Sequence, residues 1–94
     1  QLPEVFIAGS DRFAFRAIDA MQNKGIRVPE DIAVAGFGKT EIGQFMTPQL
    51  TTIDSNPALL VEKALSLLFR QIEKDEKLCE HEMVAPLLIR RKSL

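Results

Sequence analysis

Four places along this sequence carry side chains whose types suit chemistry. Ser10-Asp11 puts a hydroxyl and a carboxylate directly after the apolar run Val5-Phe6-Ile7-Ala8-Gly9. Either can cap a helix by accepting a free backbone N–H, and Asp11 also suits the positive end of a helix dipole. Gly38-Lys39 follows a second apolar run and sets a bare backbone beside a cation, although a loop lysine is ordinarily just solvated. Ser55 lies in the turn before a long amphipathic stretch. Cys79-x-His81 holds the only thiol and the only imidazole. Two ligands make no zinc site, which takes four, or three plus water. One histidine supports no Ser/His/Asp set in a workable order. Gly36-Phe37-Gly38 lacks the further glycine and the lysine-serine pair of a phosphate loop. We therefore expect no enzyme: no catalytic residue, no metal site and no cofactor.

The elements that must position these residues follow from periodicity. Val5–Gly9 reads as a strand buried on both faces, as parallel sheets require. Phe13, Ala14, Ala17, Ile18 and Met21 then recur at helical spacing, with Phe15 off that stripe. Gly25 stands where a helix C-cap glycine belongs, and Pro29-Glu30-Asp31 is a turn. Residues 32–37 form a second buried strand. This βαβ rhythm predicts two parallel strands with a right-handed crossover. Residues 38–50 are irregular or weakly helical, with Gly38, Gly43 and Pro48 as breakers. Leu50-Thr51-Thr52-Ile53 is β-prone. Asn56 caps a helix that begins at Pro57 and carries Leu60, Ala64, Leu67, Leu68 and Ile72 to about Lys74. Lys74-Asp75-Glu76-Lys77 is a charged turn, and residues 81–91 form an extended tail broken at Pro86.

Composition narrows the class. The 94 residues allow at most one small domain with a modest core. A formal net charge of -1 argues against this chain being the element that grips nucleic acid, because phosphate binding needs a basic face. A single cysteine excludes an internal disulfide and fits a reducing, cytoplasmic setting. There is no apolar run long enough to span a membrane. Gln1-Leu2-Pro3-Glu4 lacks an initiator methionine and the pattern of a signal peptide, and reads as a cut within a longer protein.

Several blocks together resemble the C-terminal part of the effector domain of lactose/galactose-repressor transcriptional regulators. They are Ser10-Asp11 after a strand, Ala17 and Ala20, the segment Gly25-Ile26-Arg27-Val28-Pro29-Glu30-Asp31-Ile32-Ala33-Val34-Ala35-Gly36-Phe37, the block Pro48-Gln49-Leu50-Thr51-Thr52-Ile53, and the closing Leu88-Ile89-Arg90-Arg91-Lys92-Ser93. The resemblance covers nearly the whole of residues 1–94. It implies an α/β fold: a parallel-sheet βαβ fragment of a two-lobed, periplasmic-binding-protein-like (type I) domain. Residues 1–53 would belong to the C-terminal lobe. Residues 54–74 would supply a crossover and a helix of the N-terminal lobe, and residues 75–94 the return and tail. The second helix would then lack the partners that it expects.

The resemblance also implies a function: sugar-responsive transcription regulation, with a ligand in the cleft outside the strands' carboxyl ends controlling operator binding by a helix-turn-helix outside this chain. On that alignment Ser10, Asp11, Gly38, Lys39 and Ser55 border the ligand. Position 10 is commonly Asn in the family, and here the side chain is shorter. Position 38 is commonly Asp, whose carboxylate accepts ligand hydroxyls, and glycine cannot replace it. Loss of that carboxylate beside Lys39 suits an anionic ligand, a sugar acid such as gluconate, and the Gly-Phe-Gly variation resembles the gluconate-repressor branch. The other reading of Gly38 is a tight turn and nothing more. Phe15, Phe45 and Met46 fall where the family forms its dimer contact between C-terminal lobes, which predicts a homodimer. A stand-alone periplasmic-type sugar-binding protein is the alternative. A small flavodoxin-like enzyme or receiver domain would need about five strands, and only two are clear.

Overall fold

The computed structural model describes residues 2–74 and 80–94. Strand β1 (Val5–Ile7), helix α1 (Asp11–Asn23) and strand β2 (Ala33–Ala35) form the expected βαβ unit. The strands are parallel, with Val5 opposite Ala33 and Ile7 opposite Ala35. Backbone bonds extend the ladder at both ends: the Ala33 N–H donates to the Glu4 carbonyl at 3.0 Å, and that of Ala8 to Ala35 at 2.9 Å. Ser10 caps α1, its Oγ accepting from the Phe13 N–H at 3.3 Å. The helix ends before Gly25, whose φ of +78° a residue with a Cβ would adopt only at a cost.

A single turn of 3-10 helix, Glu41–Gln44, interrupts the irregular stretch, and strand β3 (Thr52–Asp54) follows. A parallel bridge between Ala35 and Thr51 joins this second layer of pairing to the first. Helix α2 runs from Pro57 to Lys74. Asn56 starts it, its side-chain oxygen taking the Leu59 N–H at 3.4 Å. Strand β4 (Leu87–Ile89) returns antiparallel to β3. The charged turn read at 74–77 lies outside the described residues beyond Lys74, as does Cys79.

The core is Ala8, Ala14, Ile18, Val28, Ile32, Val34 and Leu50. The tail closes it. Ser93 is fully buried. Its hydroxyl donates to the Val34 carbonyl at 2.7 Å and accepts the Thr51 N–H at 2.7 Å. Its backbone accepts from the Val34 N–H and donates to the Gln49 carbonyl, both at 2.9 Å. The closing Arg-Arg-Lys-Ser block thus stitches β2 to the start of β3.

Two expectations are corrected. Strand β1 is not covered on both faces: Val5, Phe6 and Ile7 are all exposed, Ile7 to 73%. Among the described residues β1 has only β2 beside it, so it is an edge. The α1 stripe is also rotated. Asp11, Ala14 and Ile18 are its buried residues, Phe15 packs on the core, and Phe13 is 69% exposed. The cause is Asp11, which is drawn inward. Phe13, two residues later, then lies about 200° around the helix, away from the core.

Candidate functional site

The carboxyl ends of β1, β2 and β3 lie along one edge, because these strands run in the same sense. Three backbone bonds hold the turns that leave them. The Asp11 N–H donates to the Phe37 carbonyl at 2.9 Å, Gly36 to Thr51 at 2.8 Å, and Gly38 to Ile53 at 2.9 Å. Ser10, Gly38-Lys39 and Ser55, which follow these strands in the chain, are therefore set along that edge. Ser10 and Ser55 are half-buried, and Gly38 and Lys39 are exposed.

Asp11 is not a free carboxylate on this rim. It is fully buried. Its Oδ2 accepts from the Thr40 N–H at 2.8 Å and from the Thr40 hydroxyl at 2.9 Å, and its Oδ1 accepts from the Thr52 hydroxyl at 2.6 Å. Burial of a charge is tolerated only when such donors replace water. Thr52 Oγ1 in turn accepts from the Lys39 N–H at 3.2 Å. One carboxylate thus ties the start of α1, the loop after β2 and the start of β3 together. A Cβ at Gly36 would collide with Asp11 Oδ1 and stand 3.1 Å from Leu50 Cδ2, which is why glycine is needed there.

Gly38 has φ of +114°, and a Cβ built on it meets nothing within 4 Å. Position 38 is thus open in space but strained for any other L residue. Lys39 is not the free cation that a sugar-acid site would want. Its Nζ lies 3.4 Å from Asp54 Oδ2, with the lysine side chain 45% and the aspartate side chain 23% exposed. Asp54 Oδ1 accepts the Asn56 N–H at 2.9 Å. That N–H, with the Lys39 ammonium adding to it and partial burial opposing, holds the Asp54 carboxyl below the usual carboxylate range. Asp54, Thr40 and Thr52 were missed in the sequence. The available signal was an acidic residue placed directly after the β-prone Thr51-Thr52-Ile53.

The residues assigned to a dimer contact divide. Phe45 is 83% exposed. Phe15 and Met46 are half-buried against the core. His81 is exposed on the return segment, far in sequence from the strand ends. Among the described residues no three His, Cys, Asp or Glu side chains come together as a metal would require. Nor is any described helix long and apolar enough to cross a membrane.

Comparison with known proteins agrees with this geometry. Residues 1–94 match the periplasmic binding protein-like domain family. The HTH-type transcriptional repressor PurR of Histophilus somni (strain 129Pt) is 38% identical over 96 residues, covering 100% of this chain and 28% of that protein. A LacI-type transcription regulator from Bifidobacterium animalis subsp. lactis DSM 10140 superposes with a TM-score of 0.84 at 30% identity, over 97% of this chain and 32% of that one. The lac repressor dimer bound to operator and the anti-inducer ONPF superposes at 0.86 with 28% identity, over 98% of this chain and 32% of that one. The chain therefore spans about a third or less of the length of these relatives.

Proposed function

The chain belongs to the periplasmic binding protein-like domain family, and from that premise we propose that it is the effector-sensing and dimer-forming part of a cytoplasmic, DNA-binding transcriptional repressor. What supports the reading is the parallel sense of β1, β2 and β3, which sets Ser10, Gly38-Lys39 and Ser55 after strand ends on the side where open α/β sheets bind small ligands. Its similarity to a PurR repressor and to the operator-bound lac repressor supports the regulatory context.

In this reading residues 1–53 build one lobe. Residues 54–74 cross to the second lobe with α2, and residues 75–94 return and end in the Ser93 latch. The effector is a small polyhydroxy compound, a sugar or a sugar acid, and the operator is held by a helix-turn-helix outside this chain. Closure of the lobes on the effector shifts a population between operator-competent and operator-incompetent dimers.

The test is fluorescence anisotropy of an operator fragment with the intact protein that carries this chain, titrated with sugars and sugar acids. A saturable change in operator affinity with one of them is the expected result. Operator affinity indifferent to every such compound would overturn the ligand class.

A further inference from the structure

We propose that the Lys39–Asp54 ion pair is the charge-discriminating element of the effector site. The inference rests on the effector reading above.

The placement comes from the backbone. Gly38 donates to the Ile53 carbonyl at 2.9 Å, so the run after β2 and the end of β3 are in hydrogen-bonding register. Asp54 is the next residue along β3, on the same rim as the bare Gly38. Lys39 is held at φ of +50° with its N–H on Thr52 Oγ1 at 3.2 Å. Its chain then crosses to the neighbouring strand end, where Nζ meets Asp54 Oδ2 at 3.4 Å.

Both groups keep capacity for a ligand. A carboxylate has about four lone-pair sites, and an ammonium has three protons. Asp54 uses its two oxygens for Asn56 and Lys39. Lys39 Nζ spends one of its protons on Asp54. Neither side chain is sealed, at 45% and 23% exposure. Asp11 differs on both counts, being fully buried and taking three donors.

Charge then decides what the pair reads. An anion drawn to the Lys39 ammonium also feels the Asp54 carboxylate 3.4 Å from it, so repulsion offsets part of the attraction. A hydroxyl gains from both partners, donating to Asp54 and accepting from Lys39. The rim therefore favours an uncharged hydroxylated group at this position, although Gly38 alone suggests room for an anion.

The test is binding of matched pairs to the intact protein by calorimetry: glucose with gluconate, glucose with glucuronate, galactose with galacturonate. The readout is the ratio of the two dissociation constants within a pair, which partial misfolding would leave unchanged. Wild type is expected to prefer the neutral member by about tenfold or more. Asp54→Asn, of the same size, releases Lys39 and should cut that preference at least tenfold. Lys39→Met should raise it. A wild-type preference for the acid, or a ratio that ignores Asp54→Asn, overturns the inference while the sensor reading stands. No binding by any member overturns this inference, whereas the sensor reading falls only with the operator test above.

Discussion

Asp11 shows how a single side chain organises the rim. Its carboxylate replaces water for two threonine hydroxyls and one backbone N–H. Leaving a buried donor unpaired costs about 1–3 kcal/mol. Asp11→Ala should therefore lower the unfolding free energy by about 3 kcal/mol or more in urea titrations, and Asp11→Asn by less, because an amide still accepts on one side. A loss under about 1 kcal/mol for Asp11→Ala would refute the lock. Asp31 makes a weaker point. Its carboxyl is held below the usual range first by the Arg27 guanidinium and then by the Arg27 N–H. A depressed folded-state value stabilises above the unfolded pKa, and that contribution is lost as pH falls through the folded value. The pair is solvent-exposed, so the effect is small. The melting-temperature gap between wild type and Asp31→Asn should narrow as pH drops from about 5 to about 3. A pH-independent gap would argue against this linkage.

The helices diverge at the scale of elements. Helix α1 buries Asp11, Ala14 and Ile18 against the sheet, whereas α2 buries no residue over 18 positions. Leu60, Val61, Leu65, Leu68, Phe69 and Ile72 all stand exposed on α2. Pairs of Lys63 with Glu82, at 2.8 Å, and Arg70 with Glu80 tie it to the return segment. An apolar face of this size marks a contact surface, and the proposed second lobe is what would cover it. Leu68→Ala separates the cases by magnitude. If the intact protein covers Leu68, the substitution should cost about 2–5 kcal/mol. If Leu68 stays in water, the change should lie within about 0.5 kcal/mol. Calorimetric melting of the intact protein reads the difference, and the smaller value would count against the two-lobe assignment.

The chain as a whole is more extended than a compact domain of its length. Its radius of gyration is 18.0 Å, against about 12 Å for a compact chain of this length. Residues 2–53 and the tail end share one core, and α2 projects from it. Assembly is judged at this scale. Phe15 is a poor probe of the proposed dimer contact, because it packs on the core. Phe45 is 83% exposed and cleaner. Phe45→Glu should turn a dimer of the intact protein into a monomer in sedimentation velocity, and an unchanged mass would retire this contact. Much of the architecture was legible beforehand. Apolar runs, Gly25, Asn56-Pro57 and the Leu-Thr-Thr block are local signals, and they placed β1, β2, β3 and both helices, whereas β4, inside what reads as an extended tail, was set only by its pairing with β3. That Ser10, Gly38, Lys39 and Ser55 form one site was implied by the family resemblance and not by those local signals. Tertiary structure decided what depends on partners distant in the chain. It drew the charged Asp11 inward to Thr40 and Thr52 and so turned Phe13 out, it set Lys39 against Asp54, and it buried Ser93 beneath Val34 and Thr51. A side chain's type states what it can bond. Only the fold determines which donors and acceptors, 13 to 59 residues away, arrive to bond it.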